Sequence, residues 1–231
     1  MAPERTGFEG SGTAVGDRLY DRLRDDVLFA RLAPGQRLTL ERMKDEYGAS
    51  IGTLREVLNR LVSEGLVAAE GARGFEVASA SFTNLREVAS LRLLLECHAL
   101  RESFETGDID WEGQVVAAHH KLATYEKKMS SGDRGEAEAW KRYDAAFHNA
   151  LISACGSKLL LETHAAVYDK YLRYLVLANV FRGRVAMNEH RKLVECALAR
   201  DWKSAQRTLD AHVRDCVACI EAKGLALSRK Q

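Results

Sequence analysis

The sequence predicts a mainly α protein, an N-terminal winged helix-turn-helix followed by a C-terminal all-α antiparallel bundle of about six helices. Three observations carry that expectation. Of 231 residues only Pro3 and Pro34 are proline, so nothing after Gly35 interrupts a long helix. Two short helical patterns joined by a tight turn precede two apolar runs around a glycine turn, between residues 39 and 77. From Ser81 on, helical apolar periodicity recurs with short polar breaks, as in an antiparallel bundle.

Residues 1–12 are rich in Gly, Ser and charge without apolar period and are expected to be disordered. The first domain is expected over 13–79. Val15, Leu19, Leu23, Val27 and Leu28 share one helical stripe, which the Pro34-Gly35 turn signal ends. Thr39 stands where a cap is needed for a helix from Leu40 to Tyr47. Gly48 closes that helix and Ser50 opens the next. The second helix buries Leu54, Val57, Leu58 and Leu61 and stops at Gly65. Leu66-Val67-Ala68-Ala69 and Phe75-Glu76-Val77 flank the turn at 71–74 and read as a wing hairpin.

A recognition helix reads base edges near its N-terminus, while neighbouring cations and amides hold phosphates. Ser50, Gly52, Thr53, Arg55 and Asn59 lie mostly off the leucine stripe, and Arg55 is the best candidate for a base contact. Arg37, Arg60 and Arg73 are candidates for the phosphate backbone of double-stranded operator DNA. Any one of them alone reads equally well as a solvated arginine; the helix-turn-helix plus wing carries the inference. Residues 1–80 hold 11 Lys and Arg against 13 Asp and Glu, so DNA affinity must come from a local basic surface.

A composition of 46% hydrophobic and 29% charged residues supports a buried core, and the net charge of +1 excludes a polycation. Five cysteines, an odd count without framework spacing, argue against a secreted disulfide scaffold. No stretch approaches a membrane span and no apolar signal core opens the chain, so a cytoplasmic protein without a membrane partner is expected.

The second domain is expected over 83–225, with helices at about 83–106, 111–130, 134–155, 158–181, 185–199 and 202–223. Asp144 and His148 are four apart and project from one helix face. His190 and His212 lie on two later amphipathic segments. One carboxylate and three imidazoles suit a divalent transition metal: zinc first, with nickel, manganese or iron also accommodated. A lone histidine on a helix is more often packed or solvated, but the four together favour a metal site. His98 reads as lining a cavity or packing in the core, His164 as helix surface, and one of the adjacent His119 and His120 as solvated. Cys216 and Cys219 read as packing; Tyr168, Tyr171 and Tyr174 read as core or interface.

The runs Leu32-Ala33-Pro34-Gly35-Gln36-Arg37-Leu38, Ala49-Ser50-Ile51-Gly52-Thr53-Leu54-Arg55-Glu56-Val57-Leu58 and Leu61-Val62-Ser63-Glu64-Gly65-Leu66-Val67 resemble the winged-helix signature of GntR-family bacterial transcription regulators. That family usually has an arginine directly after the serine that opens the recognition helix; Ile51 stands here, so the operator need not follow its common half-site. Tyr143-Asp144-Ala145-Ala146-Phe147-His148-Asn149-Ala150-Leu151, Glu189-His190 and Ala211-His212 resemble the metal-binding positions of the helical FCD effector domain of its FadR subfamily. Leu91-Arg92-Leu93-Leu94-Leu95-Glu96 looks like the opening of that domain, which implies that Arg92 faces the pocket and engages a carboxylate. The resemblance further implies a homodimer on a two-fold operator and a small organic acid as effector.

The expected function is therefore a ligand-responsive transcription regulator, mostly a repressor by resemblance, and not an enzyme. Its rivals are a metal-dependent enzyme using the same four residues, a pure metal sensor, and a purely structural metal. An enzyme would need a base beside the ligands, and Glu189, adjacent to His190, is expected to point elsewhere.

Overall fold

The computed structural model describes residues 11–71 and 74–225. They divide into two compact units, one ending at Ala80 and the other starting at Ser81.

The first unit opens with α1 (Ser11–Leu28), then β1 (Arg37–Leu38), α2 (Leu40–Tyr47), α3 (Ile51–Ser63), β2 (Val67–Ala69) and β3 (Phe75–Val77). Helix α1 begins at Ser11, so residues 11 and 12, expected to be disordered, belong to it; the rest of the expected disordered tail lies outside the described residues. Gly48 caps α2 in the left-handed region, and Ser50 caps α3 by accepting a hydrogen bond from the Thr53 amide at 3.1 Å. Thr39 occupies the cap of α2 but its side chain makes no capping bond. The strands form an antiparallel sheet in the order β1-β3-β2, with Val67 opposite Val77 and Leu38 opposite Phe75. The β1 arm has no legible sequence signal, because two residues are too few to show alternation.

One apolar cluster joins these elements: Leu19, Leu23 and Val27 of α1, Met43 of α2, Leu54, Leu58 and Leu61 of α3, and Phe75 and Val77 of β3. Partly buried hydroxyl bonds link the helices, from Tyr20 to Glu64 at 2.6 Å and from Tyr47 to Asp26 at 2.7 Å.

The second unit consists, among the described residues, of α4 (Phe82–Thr106), α5 (Ile109–Ser130), a 3-10 turn (Arg134–Glu136), α6 (Ala137–Ile152), α7 (Lys158–Leu177), α8 (Arg184–Leu198) and α9 (Trp202–Lys223). Six helices match the expected number. Side-chain caps open four of them, from Ser81, Asp108, Ser157 and Asp201. The fourth expected helix, drawn to residue 181, ends at Leu177. Asn179 takes a positive φ of 45° and Gly183 one of 58°, and the chain between them is a loop. That loop brings Val180 and Arg182 to the wall of the inner cavity.

Polar side chains lie on the buried faces of these helices. On α4, Arg92, Glu96 and Ser103 share the inward stripe with Leu85, Val88, Ala99 and Phe104. On α6, Asp144 and His148 share it with Trp140, Phe147 and Leu151. Burying charge at such positions costs several kcal/mol unless each group is paired, so their partners locate the site.

Candidate metal centre and reading helix

His148 on α6, His190 on α8 and His212 on α9 converge in the bundle, each nine-tenths or more buried, with candidate ligand atoms within 4.8 Å of one another. Among the described residues this is the one cluster of three or more metal-capable groups. Asp144 stands at its edge, with Oδ1 3.4 Å from Nε2 of His190 and Oδ2 accepting the Tyr168 hydroxyl at 2.7 Å. The structure thus brings all four sequence-derived residues to one place, the histidines as a tight trio and the aspartate beside them.

Each imidazole is held by a carboxylate at Nδ1. Glu96 of α4 lies 2.5 Å from His148, Glu126 of α5 lies 2.7 Å from His190, and Glu189 of α8 lies 2.8 Å from His212. An ionised carboxylate only accepts, so each contact favours the tautomer with the ring proton on Nδ1 and the Nε2 lone pair free, although the guanidinium Nη2 of Arg92 and of Arg182 also approaches Nδ1 of His148 and of His212, at 3.0 and 2.9 Å. Nε2 of His148 and of His190 are buried without a hydrogen-bond partner. Leaving a buried acceptor bare costs about 1–3 kcal/mol. Two such lone pairs, on rings whose candidate ligand atoms lie within 4.8 Å of each other and each oriented by a carboxylate, fit a transition-metal ion.

The electrostatics favour the ligating forms. Burial pushes His212 down to about 3, so its ring is neutral near pH 7. Burial also lowers His148. Against the upward push of burial, the three imidazoles and the Tyr168 hydroxyl hold Asp144 at about 2, so it is ionised. Hydrogen bonds from His212 and Arg182 outweigh burial at Glu189 and hold it at about 2.

Arg92 is fully buried between the rings of Tyr168 and Tyr171, 4.4 and 4.6 Å from their centroids. Its Nε donates to Glu96 at 2.7 Å and Nη2 lies 3.0 Å from His148 Nδ1. Only Nη1 lacks a hydrogen-bond partner. Arg92 does line the inner cavity, as the resemblance implied, but most of its donor capacity serves Glu96. The cavity, about 20 Å³, admits one or two waters.

Sequence reasoning missed five groups. Glu96, Glu126 and Glu189 orient the imidazoles. Arg182 lies 3.2 and 2.5 Å from Glu189 and 3.2 Å from the His212 carbonyl. His164, expected at the surface, is fully buried with Nε2 3.2 Å from Glu96. A signal existed for Glu96 and Glu126, since both fall on the apolar stripe of their helices. Glu189 does point away from His190, as expected, but toward His212. His98 is exposed rather than buried, His119 is half-buried against Phe147 and His120 is exposed. Cys216 and the three tyrosines are buried in the core.

In the first unit, Ser50, Gly52, Arg55 and Asn59 lie exposed along the opening and outer face of α3, with Thr53 half-buried. Arg37 is exposed on β1. Arg60 is engaged locally: its guanidinium stacks 3.5 Å from the Tyr20 ring centroid and lies 3.4 Å from Asp17. Arg73 lies outside the described residues. Ile51 is half-buried at the first position of α3.

Residues 16–77 match the family of bacterial regulatory proteins named gntR, and residues 87–215, more than half of the chain, match the FCD domain. The chain belongs to the GntR family. BphR of Paraburkholderia xenovorans, an HTH-type transcriptional regulator, is 36% identical to this GntR chain over 209 residues, spanning 89% of it and 85% of BphR. GlaR of Escherichia coli, an HTH-type transcriptional repressor, is 27% identical over 210 residues, spanning 87% and 94%. The solved structure of E. coli McbR/YncC shares the fold, with a TM-score of 0.75 at 19% identity over 90% of this chain and 97% of that one. This member of the GntR family is a DNA-binding transcriptional regulator. Among the described residues no helix is long and apolar enough to cross a membrane.

Proposed function

We propose that this GntR-family chain is a ligand-responsive repressor of the FadR subfamily, acting as a cytoplasmic homodimer on a two-fold operator. Its helical unit binds a divalent metal, zinc first, through Nε2 of His148, His190 and His212 and the carboxylate of Asp144. One observation carries the metal reading: each of three converging imidazoles gives Nδ1 to a carboxylate, and two of the Nε2 atoms are buried without a partner. A metal held by these residues would supply a Lewis-acidic anchor for the carboxylate of a small organic acid.

Arg92 Nη1, at the cavity wall, offers the charged donor for the acid's other oxygens. A cavity of about 20 Å³ does not hold an organic acid, so binding has to move a wall, and the 178–183 loop is the irregular part of it. A conformational difference of that kind is what lets a ligand shift operator affinity. In the first unit, α3 reads bases through Arg55, Asn59 and the Ser50, Gly52 and Thr53 opening, with Arg37 and Arg73 as the phosphate contacts, while Arg60 is occupied by the Tyr20 ring and Asp17.

A metal-dependent enzyme is not favoured. Glu96, Glu126 and Glu189 are each bonded to an imidazole and leave no free base beside the ligands.

The test is to purify the protein, quantify bound metal, and measure binding to operator DNA selected from random duplexes, with and without chelator and a series of carboxylic acids. Metal at one ion per chain, lost in His148→Ala, supports the site. A wild-type protein that neither carries nor takes up a divalent metal overturns it. A response to chelator alone, with no acid altering DNA binding, favours the pure metal sensor.

A further inference from the structure

The metal candidates sit on α6, α8 and α9; α4 contributes none of them. Yet α4 is the helix that the chain enters directly from wing strand β3, through Ala78-Ser79-Ala80-Ser81. What joins α4 to the site is one carboxylate. Oε1 of Glu96 lies 2.5 Å from Nδ1 of His148, and Oε2 accepts from Arg92 Nε at 2.7 Å and lies 3.2 Å from Nε2 of His164 on α7. Glu96 is fully buried, as are Arg92, His148 and His164. A single side chain therefore ties α4, α6 and α7 together, and one of its two oxygens is bonded to a metal-ligand candidate.

We propose that Glu96 is a positioning residue with two consequences: it fixes the tautomer and angle of His148 for the metal, and it is the contact through which metal occupancy is felt by α4. The proposal rests on the metal reading above.

A metal on Nε2 would withdraw charge from the ring and make Nδ1–H a stronger donor, so the His148–Glu96 bond would tighten on loading. Arg92 and His164 hold the other oxygen, so the carboxylate cannot follow His148 by turning away from α4. Ordering imposed at His148 is thus passed to the middle of α4. His164 has no other evident role: its Nδ1 is buried without a hydrogen-bond partner, and its Nε2 is spent on Glu96.

The experiment is amide hydrogen exchange on the full chain with chelator and with saturating zinc, comparing wild type with Glu96→Gln. In wild type, zinc is expected to slow exchange along α4 as well as in α6, α8 and α9. In Glu96→Gln, zinc affinity is expected to fall roughly 10- to 100-fold. At saturating zinc the slowing persists in α6, α8 and α9 but is lost from α4. The visible absorption of the cobalt(II)-loaded variant is expected to shift, which a merely structural role for Glu96 would not produce. Because Gln leaves Arg92 without its counter-charge, the double variant Arg92→Gln/Glu96→Gln replaces it if the single variant does not fold. Zinc-dependent slowing of α4 that is undiminished in the variant overturns the proposal, as does wild-type protein that binds zinc without any slowing of α4. Wild type that binds no zinc instead overturns the metal reading itself.

Discussion

Tyr168 of α7 donates its hydroxyl to Oδ2 of Asp144 on α6 across 2.7 Å, in a fully buried setting. The bond holds the carboxylate with its other oxygen toward His190. A hydrogen bond to a charged group contributes about 1.5–3 kcal/mol. Tyr168→Phe is expected to destabilise the metal-free protein by about 2 kcal/mol and to weaken zinc binding. Urea unfolding in chelator and zinc competition read the two effects; an unchanged urea midpoint would show that Asp144 is held by other groups.

Metal removal is expected to lower thermal stability. A ligand at a thousand times its Kd stabilises the native state by about 4 kcal/mol. Scanning calorimetry in saturating zinc and in chelator should therefore give well-separated midpoints for wild type. In His190→Ala the two midpoints are expected to coincide, with the midpoint in chelator also below wild type because Glu126 loses its buried partner. A zinc-dependent midpoint that survives His190→Ala would remove this histidine from the ligand set.

Two arginines of α3 are expected to behave differently. Arg55 is exposed on the outer face, and Arg55→Ala is expected to cost about 1–3 kcal/mol on the selected operator with discrimination lost at one base position. Arg60 is occupied by the Tyr20 ring and Asp17. Arg60→Ala is expected to lower stability by under about 1 kcal/mol and to leave the salt dependence of DNA binding nearly unchanged. A slope smaller by about one unit on removing Arg60 would restore it as a phosphate contact.

Lys141 is buried on α6 against Trp140, with burial lowering its ammonium to about 8. A lysine held below its unfolded value opposes folding at pH below 8, and the penalty fades as pH rises from 8 toward 10.5. Lys141→Met is therefore expected to stabilise the protein at pH 7, on the order of 2 kcal/mol, less what is lost with the long contact to the Val180 carbonyl. The gain should shrink at pH 10. Denaturant midpoints at the two pH values decide it; a gain independent of pH would point to packing.

Much of the site was legible as residue types on periodic faces. Asp144 and His148 at a four-residue interval, and His190 and His212 inside apolar stripes, are local patterns, and a 3.6-residue period turns local patterns into shared faces. The same logic applied to α4 and α5 shows Glu96 and Glu126 on buried stripes. Their roles were not legible, because a buried acid on a stripe declares only that it needs a partner. His164 has the same α7 stripe as Tyr168 and Tyr171, and its buried setting follows from that register.

The sequence by itself determined the two-part architecture, the six helices of the second unit, the helix opened by Ser50 and the four metal-ligand candidates. Each follows from caps, breakers and apolar period over a few turns of chain. Tertiary structure alone decided which carboxylate holds which imidazole. Glu96 and His148 are 52 residues apart, Glu126 and His190 are 64, and Glu189 and His212 are 23. Pairings across helices depend on helix order, crossing and rotation, and leave no periodic mark in the chain. Tertiary structure also turned Arg92 from an open effector anchor into a guanidinium largely committed to Glu96: the four-residue interval puts Glu96 on its face, but only packing could bury that face with His148 beyond it.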